Sequence, residues 1–158
     1  MPKRAEQIRA SLAHPIIDGD GHWLEPIPVF LEYLAEAGGA KAVDELKARW
    51  QRNAAWYYAS AEERQHKRMR RPLWWGVTSN THDKATALLP KLLNERLPEL
   101  GMDFALMYPT FGLSINLMAG DLQLAAARAY NRMTMDMFKP YAERFAPVDR
   151  KSTRLNSS

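Results

Sequence analysis

The 158-residue chain is 46% hydrophobic and carries 22 basic against 18 acidic residues, enough apolar material for one domain with a real core and too much for global disorder. It has no cysteine, which excludes disulfides and thiolate chemistry and leaves His, Asp and Glu as the strong metal ligands. No apolar run approaches the ~20 residues of a membrane span and the first dozen residues are charged, so no membrane partner and a cytoplasmic location are expected.

Residues 3–12 read as a short helix leading to Pro15. Ile16-Ile17 then opens a strand that spills into Asp18-Gly-Asp-Gly-His-Trp-Leu-Glu-Pro26. Alternate strand residues face the same side, so Asp18, Asp20 and His22 are expected on one face, with Gly19 and Gly21 leaving the other uncrowded. Two or three of these side chains could reach one cation. An EF-hand loop is excluded, because the sixth and twelfth positions counted from Asp18 hold Trp23 and Val29 instead of Gly and Glu. The competing reading is a plain Asp/Gly turn in which Asp20 caps the next element.

Pro28 suits the first turn of a helix, and Val29, Phe30, Tyr33 and Leu34 form a stripe that stops at Gly38-Gly39. A second helix is expected from about Lys41 to Tyr58, with Val43, Leu46 and Trp50 on one face. Ser60 and Glu63 have capping-box spacing, which predicts a helix over 61–69. The 67–75 stretch sets basic residues beside Trp74 and Trp75. It is either a platform for single-stranded nucleic acid or a solvated helix end followed by aromatics that plug a pocket or cover a site. The charge distribution disfavours nucleic acid: without Arg150, Lys151 and Arg154 near the end, 19 basic residues face 18 acidic ones.

Asp83–Leu100 is helical in pattern but contains Pro90 and Pro98, each costing ~3 kcal/mol inside a helix. A break near Leu89, a restart at Pro90 and a frayed end before Gly101 follow. Asp103-Phe-Ala-Leu-Met-Tyr108 is a run of the kind buried on both faces of a parallel sheet. Asp121 is expected to cap a helix from Leu122 to about Phe138 whose buried stripe is Leu124, Ala125, Tyr130, Met133 and Met137. Arg144–Val148 starts a third strand. Residues 150–158 have no hydrophobic period and are similar to translated sequencing-adapter read-through, so they read as a non-native or disordered tail and 1–149 as the domain.

The order of strand, long insertion, helix, strand, helix and strand predicts an α/β fold made of repeated β-α units. It fits the N-terminal part of a (β/α)8 TIM barrel: about the first two β-α units and the start of the third strand, with a helical insertion after strand 1. Catalytic groups of such barrels sit at the strands' carboxyl ends, and a complete barrel takes about 250 residues. An exposed edge on the third strand leaves self-association into a homo-oligomer open.

Four stretches in this order and spacing, Ile17–Pro26, Lys84–Phe104, Tyr108–Leu113 and Ala127–Arg132, together with Arg144–Val148, resemble the amidohydrolase-related family of metal-dependent TIM-barrel enzymes. The branch concerned contains non-oxidative decarboxylases and small-acid hydrolases. The resemblance implies a divalent metal, Zn, Mn or Mg, held at the end of strand 1 by Asp20 and His22, where the family's pattern is His-x-His. A carboxylate in the first position hardens the site toward Mn²⁺ or Mg²⁺ without excluding Zn²⁺. It further implies a small-molecule substrate and additional His and Asp ligands from later strands, so this chain is expected to be an N-terminal fragment, inactive as it stands. Glu25 is either a partner behind the ligands or a carboxylate at a helix start. Tyr108 and Thr110, at the end of strand 2, are candidates for substrate contact, although a buried tyrosine with one hydrogen bond explains Tyr108 equally.

Overall fold

The computed structural model describes residues 4–69 and 80–150. Among the described residues six α-helices and three strands follow in chain order, besides short 3₁₀ turns: α1 (Arg4–Ala10), β1 (Ile17–Trp23), α2 (Ile27–Tyr58), α3 (Ala61–His66), α4 (Thr81–Leu88), α5 (Pro90–Arg96), β2 (Phe104–Pro109), α6 (Gly120–Phe138) and β3 (Phe145–Pro147). The strands form one parallel sheet in the order β1-β2-β3, so each strand neighbours the next and the intervening helices are crossovers. The architecture is α/β. No helix among the described residues is long and apolar enough to cross a membrane. The tryptophan pair at 74–75, expected as a platform or a lid, lies outside the described residues, as does the tail over 151–158.

Local chemistry sets most boundaries. Pro28 stands in the first turn of α2, and Gly39 interrupts that helix at φ 72°, a left-handed conformation that glycine adopts without a Cβ clash. The two expected helices thus lie on either side of a break at Gly39 within α2. Ser60 accepts the Glu63 N–H and starts α3, which ends at His66, three residues short of the expected 69. Leu89 leaves helical geometry before Pro90 begins α5, and Gly101 at φ 73° closes the 3₁₀ turn Leu97–Leu100.

Asp121, expected as the cap of α6, is not one. It lies in the first turn, and Ala119 occupies the cap position without a side-chain bond. Gly120, at φ 59°, turns the chain into the helix, so α6 begins before the aspartate. The buried face of α6 is also broader than the expected stripe. Ala126, Ala127 and Ala129 join Ala125, Tyr130 and Met133 in the interior, while Leu124 and Met137 stay half-buried.

The core lies between the sheet and α2 and α6. Trp23 meets Phe138 edge-on at 5.0 Å, Phe138 meets Phe145 at 5.6 Å, and Phe111 receives both Phe30 and Trp50. Burying such rings is worth about 1.5–3 kcal/mol each. β2 departs from the expectation of burial on both faces. Ala105, Met107 and Pro109 are buried, whereas Phe104, Leu106 and Tyr108 are only half-buried, because the core cluster lies against one side of the sheet.

The lower end of the sheet is tied by Asp103. Its carboxylate accepts the Ile16 N–H at 2.8 Å and a bond from the Arg9 guanidinium, while its own N–H donates to the Ile16 carbonyl at 2.9 Å. The Arg9 bond, then the Ile16 bond, holds the Asp103 carboxyl below its ordinary value of 3.8. A depressed native pKa contributes stability that is complete above that ordinary value and disappears as pH falls below it. Acidification is therefore expected to loosen α1 from the sheet before the core opens. Faster amide exchange in residues 4–10 of Asp103→Asn at neutral pH would reproduce the effect, and unchanged exchange there would count against it.

Candidate metal centre

The packet at the end of β1 does not keep simple alternation. In register with β2, Asp18 lies beside Ala105, but Gly21 lies beside Met107 and His22 beside Tyr108. Three steps on β1 thus match two on β2, a one-residue bulge. Asp18 stabilises it by accepting the Asp20 N–H at 3.0 Å, the i to i+2 bond of an Asx turn. The expectation that Asp18, Asp20 and His22 share a face is corrected accordingly. Asp18 lies on the core side near Gly21, where its Oδ2 is 3.1 Å from the place a Gly21 Cβ would take. Gly21 is likewise crowded instead of open, while a Cβ added at Gly19 would meet nothing within 4 Å among the described residues.

Beyond the bulge, Asp20 and His22 do come together. Asp20 Oδ1 stands 3.8 Å from His22 Nε2, with the aspartate side chain 91% exposed and the histidine side chain 28% exposed. Tyr108, the register partner of His22, holds its ring 6.0 Å from the imidazole at a 36° tilt. Thr110, just past β2, brings its Oγ1 to 3.4 Å from His22 Nδ1. One ring nitrogen thus faces the open carboxylate and the other a buried hydroxyl.

Glu25 stands just before α2, and its carboxylate is engaged across the fold. It is 4% exposed, and its carboxylate accepts three successive backbone N–H groups: Thr110 at 3.1 Å and Gly112 at 2.9 Å on Oε1, and Phe111 at 2.7 Å on Oε2. Such a run of amides is an anion-binding concavity, here filled by a side chain 85 to 87 residues earlier. Burial pushes the Glu25 carboxyl above its ordinary value of 4.5, and the amide bonds to Gly112, Phe111 and Thr110 pull it partly back. Gly112 is required at the turn, since a Cβ there would sit 2.7 Å from Pro109 Cβ and 2.9 Å from the Tyr130 ring.

Tyr130 closes the floor below. Among the described residues its hydroxyl, Trp23 Nε1 and Thr134 Oγ1 are buried without a well-formed hydrogen bond, although Trp23 and Thr134 lie close enough to pull the phenol pKa down. Burial dominates and pushes it up to about 12. One residue further along the helix, Asn131 grips the chain after β3, accepting the Arg150 N–H at 2.6 Å and donating to its carbonyl at 2.9 Å.

Sequence reasoning missed the Glu25 cradle and the Thr110 contact to His22. Thr110-Phe-Gly112 reads as a turn, but nothing in it names a carboxylate far upstream. Comparison of the chain with protein-family models, curated proteins and solved structures finds no match in any of the three.

Proposed function

We propose that this chain is the opening portion of a metal-dependent amidohydrolase-type (β/α)8 barrel, contributing two ligands to a cation that serves hydrolysis or non-oxidative decarboxylation of a small carboxylic or aromatic acid. One observation carries the reading: Asp20 and His22 converge at the carboxyl end of the first strand of a parallel sheet, the end at which barrels of this architecture hold their chemistry.

The donor pair fits a divalent ion. Two ligands each about 2.1 Å from a common metal stand about 3.0 Å apart at a right angle and about 3.4 Å apart in a tetrahedron. The observed 3.8 Å closes by a small rotation of the exposed aspartate. A carboxylate with one imidazole suits Mn²⁺, Mg²⁺ or Zn²⁺. Among the described residues no group of three or more His, Cys, Asp and Glu side chains is gathered for a metal, so the remaining ligands in this reading belong to further β-α units. When bound, the cation would acidify a water or polarise a substrate carboxylate. The chain's own residues hold it through Asp20 and His22, and Tyr108 lines the adjoining surface.

The test is addition of Mn²⁺ to the isotope-labelled chain. Paramagnetic broadening is expected to start at Asp20 and His22 and to vanish in Asp20→Asn and in His22→Gln, with weak affinity and no hydrolase or decarboxylase turnover by the chain alone. Broadening spread evenly over surface carboxylates, unaffected by either substitution, would remove the site.

A further inference from the structure

Leu24 is the first residue after β1 and the second after His22. Its N–H turns away from the sheet and donates to the Ala87 carbonyl at 2.7 Å, while Pro109, opposite Trp23 at the end of β2, has no N–H to extend the pairing. Ala87 stands in the last turn of α4, where carbonyls lack an intrahelical donor. The end of the ligand strand is thus held from α4, and one side chain bridges α4 to α5. Arg96, in the last turn of α5 and with its side chain only 13% exposed, donates to Asp83 Oδ1 at 3.0 Å and to Thr86 Oγ1, both on α4, and to Glu99 Oε2 at 3.4 Å. The buried Thr86 hydroxyl donates to the His82 carbonyl at 2.8 Å, which leaves its oxygen to accept from the guanidinium. A guanidinium spreads its donors in a rigid fork, so these contacts fix the angle between the two helices as well as their spacing.

We infer that Arg96 is a positioning residue for the Asp20–His22 pair: by bracing α4 against α5 it holds the Ala87 carbonyl where it takes the Leu24 N–H, and so fixes the end of β1 that carries both side chains. Two ligands converge on one ion only while the backbone joining them keeps a single shape. What the pair holds rests on the cation reading above; the brace on the strand end does not. A guanidinium that only closed the α4–α5 hairpin would leave Leu24, Asp20 and His22 unmoved on its removal.

The experiment compares wild-type chain, Arg96→Met and Leu46→Val by amide exchange and by broadening on addition of Mn²⁺. Leu46→Val loosens the buried core of α2 without touching the brace, so it reports what lost stability alone does. Arg96→Met is expected to speed Leu24 exchange roughly tenfold relative to the Ala105 and Met107 amides of β2, to shift the Asp20 and His22 resonances, and to weaken Mn²⁺ binding several-fold, with Arg96→Lys in between. Leu46→Val is expected to do none of these in the folded chain. Should Arg96→Met fail to fold, Thr86→Val, which removes one acceptor of the guanidinium, carries the same readouts in the same direction. Leu24 exchange that keeps step with β2 in Arg96→Met, or Asp20 and His22 resonances that stay in place there or move equally in Leu46→Val, overturns the inference. If wild-type chain shows no Mn²⁺ broadening at Asp20 and His22 while their resonances and Leu24 respond to Arg96→Met alone, the cation reading falls and the positioning role stands. If Mn²⁺ binds wild-type chain and Arg96→Met alike, the positioning role falls and the cation reading stands.

Discussion

Replacing Glu25 by alanine is expected to destabilise the chain by about 3 kcal/mol at neutral pH, read as a lower urea midpoint with little change in slope. The substitution leaves three N–H groups, from Thr110, Phe111 and Gly112, without an acceptor in a closed turn. Each unsatisfied buried donor costs about 1–3 kcal/mol, and relief of the carboxylate's own burial offsets part of that sum. Formate, which can occupy the vacated concavity as a carboxylate, is expected to restore some of the loss in Glu25→Ala and none in wild-type chain. The pH dependence has a definite sign. Because burial raises the native carboxyl above 4.5, its contribution is complete below that value and declines as pH rises through the native pKa. The gap between wild-type chain and Glu25→Ala should therefore be widest in mild acid and narrow toward neutrality. A gap below about 1 kcal/mol at every pH would mean that the desolvation cost cancels the three bonds.

Gly21→Ala should cost about 3 kcal/mol, and Gly19→Ala, two residues away, less than about 0.5 kcal/mol. A methyl at Gly21 would stand 2.7 Å from the Leu106 carbonyl oxygen and 3.3 Å from Met107 Sδ. The carbonyl is backbone of the neighbouring strand and can yield only by moving β2 away from β1. At Gly19 nothing among the described residues lies within 4 Å of the added methyl. Gly21→Ala should also weaken Mn²⁺ binding, since Gly21 joins Asp20 to His22 and strain there turns one against the other, whereas Gly19→Ala should bind as wild-type chain does. Equal midpoints for the two variants would mean that the bulge does not set the face on which each residue lies.

The punctuation of the helices was legible because it depends on neighbours within a turn. Pro90 after Leu89, Gly101 after Leu100 and Ser60 three residues before Glu63 each decide a boundary through one local steric or hydrogen-bond rule, and the chain obeys them. Asp121 shows the limit even there: a good capping residue is bypassed when a glycine just before it can open the helix. The order of strands and their parallel pairing were likewise readable from alternating β-α patterns. The half-exposed face of β2 was not, because an apolar run records that residues avoid water without recording what lies on either side.

The amino-acid sequence alone determined where the backbone turns, that the strands run parallel with helices between them, and that a carboxylate and an imidazole fall two positions apart on the opening strand. Folding in three dimensions decided which way the side chains face and what they touch. One added residue at the bulge sends Asp18 to the core side and leaves Asp20 beside His22, and Glu25 finds its three amides more than eighty residues downstream. The physical reason is range. Backbone sterics and caps act between residues close along the chain, whereas strand register and the burial of a charge depend on groups that meet only after the sheet and its helices have packed.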